Sequence, residues 1–311
     1  MLELIREYVE AFGPSGREDG IRERIRQRVE PLVDEVWVDR LGNLIALKRA
    51  TAQPHGERPL RIMLAAHMDE IGLIVTHIED EGFLRVSNIG GVSPHVALGQ
   101  RVRFANGTVG VIGAEKVESM KDLKLDKLYV DIGASSRKEA EKRVRVGDMA
   151  VFFRPLEVMD RRVTAKALDD RIGCVILTQV LLELGESPHD LYFVFTAQEE
   201  DGAWAARTAA YAIDPDLGLA CDVTGTGDTP EGPKMAVKLG GGAAIKVKDA
   251  SVIVHPAVRR LLSETAAELK IPHQFEVLEK GGTDTSMIQI AREGVPSGCI
   301  SVPTRYIHTP P

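Results

Sequence analysis

Apolar positions at helical spacing open the chain. Ile21, Ile25, Val29 and Leu32 share one face, and Ser15-Gly16-Arg17-Glu18 ahead of them has the serine-to-glutamate spacing of a capping box. A surface helix is expected to begin near residue 16. The pattern then shortens. Val36-Trp37-Val38 and Leu44-Ile45-Ala46-Leu47, separated by Asp39-Arg40-Leu41-Gly42-Asn43, predict a hairpin, and the apolar run from Arg61 to Ala66 a more fully buried strand.

From residue 73 to 160 the texture is one of short alternating strands with turn residues, including Val102-Arg103-Phe104, an Asn106-Gly107 turn, and Val109-Gly110-Val111-Ile112. This predicts a β-rich insertion. Helix and strand alternate again afterwards: a helix over 172–184, strands over 191–196 and 217–221, a helix over 258–270 and a strand over 274–278. The fold class expected is therefore α/β, with a mainly parallel sheet, helices on both faces, and ligands gathered beyond the carboxyl ends of the strands. Residues 1–72 and 161–311 would form one discontinuous domain around the 73–160 insertion.

Composition narrows the function classes. The 311 residues are 44% hydrophobic and 27% charged, ordinary for a globular protein, and the net charge of -7, with Lys and Arg interspersed among acids, argues against nucleic acid as a partner. No segment approaches the roughly twenty apolar residues that span a bilayer. The start, Met1-Leu2-Glu3-Leu4-Ile5-Arg6, reads as an amphipathic helix and not as a signal peptide, so a cytoplasmic location is expected. Cys174, Cys221 and Cys299, each among apolar neighbours, predict reduced core thiols.

The chemistry sits where apolar segments end. His67-Met68-Asp69-Glu70 closes the run from Arg61; two residues apart on a strand, His67 and Asp69 share a face, so the carboxylate can orient a metal-binding imidazole. Asp169-Asp170 precede a helix start, near its positive end, and one of them could bridge two cations. Glu199-Glu200 follow the apolar Leu191-Tyr192-Phe193-Val194-Phe195-Thr196. Neighbours on a strand point to opposite sides, so one ligand and one general base are expected there. Asp222 and His308 would complete the shells, and such His and carboxylate donors suit Zn²⁺, Co²⁺ or Mn²⁺.

Other features are weaker signals. Gly281-Gly282-Thr283-Asp284-Thr285-Ser286 leads into a helical stretch, so its amides could hold a substrate carbonyl or carboxylate at Gly282, Thr283 and Asp284. His55, His189, His255 and His273 read as exposed turn residues, His77 as part of an alternating strand, and His95 as the end of a loop. A metal-dependent hydrolase is the leading reading. A glycoside hydrolase built on the paired carboxylates and a metal-stabilised assembly protein are the alternatives.

In this order, Ala66-His67-Met68-Asp69-Glu70-Ile71-Gly72, Ile89-Gly90-Gly91, Asp131-Ile132-Gly133-Ala134, Ala167-Leu168-Asp169-Asp170-Arg171-Ile172-Gly173, Ala197-Gln198-Glu199-Glu200, Gly282-Thr283-Asp284 and Arg305-Tyr306-Ile307-His308 resemble the M42 family of metallo-aminopeptidases. That family includes glutamyl and tetrahedral (TET) aminopeptidases and members labelled endoglucanase. The resemblance implies two metal ions bridged by Asp169, with His67 and Asp222 on one and Glu200 and His308 on the other. It makes Glu199 the general base and Asp69 the residue that orients His67. It further implies a zinc-peptidase-like catalytic domain, a small β-barrel-like dimerisation domain over the insertion, peptide substrates, and homo-oligomers from dimer to dodecamer. Two stretches depart from the family pattern: Asp201-Gly202 is followed by Ala205-Ala206, and the sequence stops at Thr309-Pro310-Pro311, where the family normally continues.

Overall fold

The first helices, α1 (Leu2–Val9) and α2 (Asp19–Val29), turn Ile5, Tyr8 and Val9, and Ile21, Ile25 and Val29, into the core. The computed structural model describes residues 1–54 and 56–311; His55 lies outside the described residues. The α2 start differs from the capping-box expectation. Glu18 precedes the helix without a side-chain cap, and the Ser15 hydroxyl donates instead to Asp69 Oδ2 at 2.6 Å. Donating to a buried carboxylate makes a stronger, charge-assisted hydrogen bond than accepting from an end-of-helix N–H would.

Strands β1 (Glu35–Val38) and β2 (Leu44–Lys48) form the expected antiparallel hairpin, and Asp39 closes its turn by accepting the amides of Leu41, Gly42 and Asn43. β3 (Arg61–His67) follows. The next strands are β4 (Gly72–Ile78), β5 (Leu84–Ile89), β6 (Arg101–Phe104), β7 (Val109–Ala114), β8 (Leu128–Asp131) and β9 (Met149–Phe152). They close into an antiparallel barrel in the order β4-β5-β8-β7-β6-β9, with α3 (Pro94–Ala97) and α4 (Arg137–Ala140) in its connections. Alternation is the cause: Leu73, Val75, Leu84, Val102, Ile112 and Val130 fill the interior, and closure leaves no edge unpaired.

A short hairpin, β10 (Glu157–Met159) and β11 (Arg162–Thr164), leads into α5 (Leu168–Glu183) and β12 (Asp190–Thr196). Then come α6 (Trp204–Ile213), β13 (Leu217–Thr224), β14 (Ala243–Lys248), α7 (Pro256–Glu268), β15 (His273–Val277), α8 (Thr285–Gln289) and β16 (Ser297–Pro303). The large sheet has the order β1-β2-β12-β3-β13-β16-β14-β15. It is a mixed sheet. Its centre, β12-β3-β13-β16, is parallel, as is β14 with β15, whereas β1–β2, β2–β12 and β14–β16 are antiparallel. The hairpin accounts for part of this, because a tight turn joins only antiparallel strands.

Both faces are covered. α1, α2 and α5 pack on one side with Phe193 and Phe195, and α6 and α8 on the other with Val194, Met63 and Ala65. Each fully buried large side chain contributes roughly 1.5–3 kcal/mol, so the central strands carry much of the fold's hydrophobic stabilisation. Cys174, Cys221 and Cys299 are buried free thiols. Among the described residues no helix is long and apolar enough to cross a membrane.

Candidate metal centre

Parallel pairing gathers the chemistry at one edge. His67 ends β3 and pairs in register with Thr196, the last residue of β12, while Ala220 pairs with Ala65 and so brings Asp222 of β13 level with His67. β16 runs parallel beside β13, and His308 lies just past its end. Asp169 comes from the start of α5, where the backbone at Asp169 and Asp170 departs from helical angles.

The side chains form two groups that share one member. Ligand atoms of His67, Asp169 and Asp222 lie within 4.8 Å of one another, as do those of Asp169, Glu200 and His308. Asp169 faces both histidines: Oδ1 is 3.1 Å from His67 Nε2, and Oδ2 is 3.5 Å from His308 Nε2. His308 Nε2 also lies 3.1 Å from Glu200 Oε2. Asp170 turns away, accepting the Gly173 amide at 3.0 Å and the His67 amide at 3.2 Å, so it caps α5 and braces β3.

Asp69 organises the other side. It is fully buried; its Oδ1 lies 3.3 Å from His67 Nδ1 and accepts the Glu199 amide at 3.0 Å, and its Oδ2 accepts the Glu200 amide at 3.1 Å and the Ser15 hydroxyl. The strand-based expectation that Glu199 and Glu200 face opposite ways does not hold. β12 ends at Thr196, and the turn that follows, with Gln198 at φ 57°, sends both carboxylates to the cluster, Glu199 Oε2 being 3.9 Å from His67 Nε2. Ser15 and Glu18 escaped the sequence reading because their spacing has a purely local explanation. Glu18 is buried and accepts the amides of Gly16 and Gln198. Arg171 was also missed: wholly buried, it donates to the carbonyls of Met68, Tyr8 and Gly13 and pairs with Glu70, which Lys166 holds through both oxygens at 2.8 Å.

Electrostatics favour a bound cation. Burial pushes the carboxyls of Glu199 and Asp222 well above the usual range, with neighbouring acids adding to the shift and His67 opposing it. Glu200 is raised by burial too, against the pull of His308. Burial acts to lower His67, yet Asp169 and Asp69 outweigh it and hold the imidazole high, and Glu200 lifts His308 to about 9. Among the described residues, the ion-pair partners of Asp169, Glu199 and Glu200 are the two histidines, with no Lys or Arg. A crowd of desolvated carboxylates whose ion-pair partners among the described residues are imidazoles fits hard-to-borderline divalent ions, which relieve the repulsion that raises those acids.

The remaining expected residues divide. Thr283 and Asp284 are buried and Gly282 is exposed; Asp284 Oδ2 accepts the Thr196 hydroxyl at 2.5 Å, and burial raises this acid to about 6. Asp284 is thus tied to the end of β12 beside the cluster. His95 lies in α3, with Nε2 2.7 Å from the Met120 carbonyl, and His77 on β4; neither joins the two ligand groups. His255 caps α7, and His273 opens β15 instead of lying in a turn. An apolar cavity of about 620 Å³, lined by Ile71, Leu168, Ile172 and Val302, opens beside Asp169, Glu200 and His308.

The profile of a known family, described as M42 glutamyl aminopeptidase, matches residues 42–311. The chain belongs to the M42 aminopeptidase family. It is thereby a hydrolase. A protein described as a putative aminopeptidase from Acetivibrio thermocellus is 50% identical over 100% of this chain and 92% of its own length. The structure of an aminopeptidase from the archaeon Desulfurococcus kamchatkensis superposes with a TM-score of 0.93 at 42% identity, covering 99% of this chain and 88% of that one. A TET1 peptidase from Pyrococcus horikoshii, described as able to assemble into a tetrahedron or a large octahedral shell, gives a TM-score of 0.86 at 34% identity over 99% of this chain and 92% of its own.

Proposed function

We propose that this M42 aminopeptidase removes N-terminal residues from peptides at a centre of two divalent cations, Zn²⁺ or Co²⁺ foremost and Mn²⁺ next. The observation that carries the reading is the double-facing carboxylate of Asp169, one oxygen toward His67 and the other toward His308. His67 and Asp222 would hold one ion, Glu200 and His308 the other, with Asp169 between them. When bound, the ions would polarise the scissile carbonyl and acidify the attacking water.

The chain's own residues supply the rest. Glu199 reaches toward the cluster without belonging to either ligand group, so its carboxylate is free to take a proton from the water and return it to the leaving amine. Its elevated proton affinity suits that exchange near neutrality. Asp69 positions this base by its backbone amide and His67 by its ring. In this reading Gly282, Thr283 and Asp284, which do not line the cavity beside Asp169, Glu200 and His308, would hold a substrate carbonyl or carboxylate. The division into a catalytic part, 1–72 with 161–311, and an inserted assembly domain, 73–160, accords with the barrel, and homo-oligomers accord with the assemblies described for the TET1 relative.

The alternatives fare less well. Glycosidase carboxylates stand roughly 5–9.5 Å apart across a sugar, whereas the acids of each group here approach within 4.8 Å alongside a histidine. A purely structural metal site is closed, but this one opens on a cavity. The test is hydrolysis of aminoacyl chromogenic substrates before and after chelation, with Zn²⁺, Co²⁺ or Mn²⁺ restored, beside elemental counting of ions per chain. Loss on chelation, recovery with metal, and two ions per chain are expected. Turnover indifferent to the chelator would overturn the proposal.

A further inference from the structure

His308 is the least buried of the candidate ligands: its side chain is 41% exposed, against 2% for His67, 17% for Asp169 and 4% for Glu200. A ligand so exposed is not held by core packing, so its orientation must come from specific neighbours. One is Gly91, in the loop that follows β5 of the barrel, which comes so near that a Cβ there would stand 2.3 Å from His308 Nδ1. Gly91 is not among the glycines with positive φ, so its hydrogen is required for space and not for backbone conformation. Its neighbour Gly90, whose φ of 66° by itself favours glycine, also approaches the other ligand of this group, a Cβ there lying 2.9 Å from Glu200 Oε2.

The segment that carries His308 is held separately: Arg305, three residues before it in sequence, forks onto Asp228, Nε to Oδ1 at 3.2 Å, Nη2 to Oδ2 at 2.8 Å, and Nη2 to the Asp228 carbonyl at 3.2 Å. Asp228 also accepts the Leu239 amide at 3.2 Å, which ties the segment before β14 to the His308 segment. A planar fork fixes direction as well as distance, which an ammonium at the same place does not.

We propose that Gly91 and the Arg305–Asp228 pair are positioning elements for His308, so that the inserted barrel sets the affinity of the Glu200–His308 half of the centre and leaves the His67–Asp222 half alone. The inference rests on the two-ion reading. A methyl group at position 91 pushes the imidazole ring, a movable side chain, away from the point where its Nε2 meets Glu200 and Asp169. Losing the fork frees the segment that carries the ring.

Metal-stripped wild type, Gly91→Ala, Arg305→Lys and His308→Ala would be titrated with Zn²⁺ by calorimetry, and their metal-free melting temperatures compared. Wild type is expected to show two binding events and His308→Ala to lose the weaker one. Gly91→Ala and Arg305→Lys are expected to weaken that same event by about 10- to 100-fold, with the other event and the metal-free melting temperature unchanged. Two wild-type events that both variants preserve at full affinity would overturn the inference and leave the two-ion reading standing. Equal weakening of both events together with a lowered metal-free melting temperature would also overturn it, as the mark of a general structural role. A single wild-type event would overturn the two-ion reading and the inference with it. Arg305 is partly exposed, so Arg305→Lys keeps the test decisive should Gly91→Ala fold poorly.

Discussion

Asp69 Oδ1 accepts the backbone amide of Glu199 at 3.0 Å, and the same buried carboxylate reaches the ring of His67. One acid thus spans the candidate ligand at the end of β3 and the candidate base after β12. Orienting an imidazole is only half of what its contacts allow, because the turn that carries both glutamates also hangs on it.

Asp69→Asn is the direct test of this link. The new amide turns a donor toward groups that themselves donate, leaving at least one buried N–H without a partner. Metal affinity should fall about 10- to 100-fold, and kcat should fall beyond what restored metal occupancy recovers. Calorimetric metal titration and assays at saturating Zn²⁺ separate the two effects; full recovery of kcat at saturation would confine Asp69 to the ligand side.

Glu199→Gln retains shape and hydrogen bonding but cannot exchange the proton. A kcat loss of about 10²- to 10⁴-fold is expected, with the ion count per chain unchanged because Glu199 lies outside both ligand groups. Elemental analysis alongside steady-state kinetics decides it. A variant that lost metal in proportion to activity would make Glu199 a ligand instead.

Ser15→Ala removes a 2.6 Å hydrogen bond to a buried carboxylate. A cost of about 1–3 kcal/mol in urea unfolding is expected. Metal affinity should drop as well, since Asp69 loses a donor. Lost stability with unaltered metal binding would point back to a helix-capping role.

The Asp284 carboxyl, raised by burial from 3.8 to about 6, makes a pH prediction. Between those values the folded chain binds a proton there that the unfolded chain releases, so stability must fall as pH rises through that window and the full penalty stands above about 6. Asp284→Asn has no such proton. Metal-free melting curves of wild type and variant should therefore converge at acid pH and separate toward neutrality, the variant being more stable by on the order of 1–3 kcal/mol. Parallel curves across the range would mean that the acid is not desolvated in solution.

Much of the site was legible because its residues sit where periodicity breaks. His67 ends a buried strand, Asp169-Asp170 stand in the irregular first turn of a helix, and Glu199-Glu200 follow an apolar run, all visible as pattern changes. The departures share one cause. Capping by Ser15 and opposite facing of the two glutamates were inferred from neighbours in sequence, whereas the structure decides both through Asp69, a partner remote in sequence. The mixed character of the sheet was likewise out of reach, since periodicity gives strands but not the direction in which each pairs.

By itself, then, the sequence determined which candidate side chains stand where apolar segments end, because hydrophobic period and residue type are local properties. Tertiary structure alone decided that β12, β3, β13 and β16 lie side by side and parallel, that Asp169 faces both histidines, and that Gly91 of the barrel lies against His308. Those relations depend on which long-range pairings bury the most apolar surface while satisfying every buried polar group. That is a property of the whole chain and of no single segment.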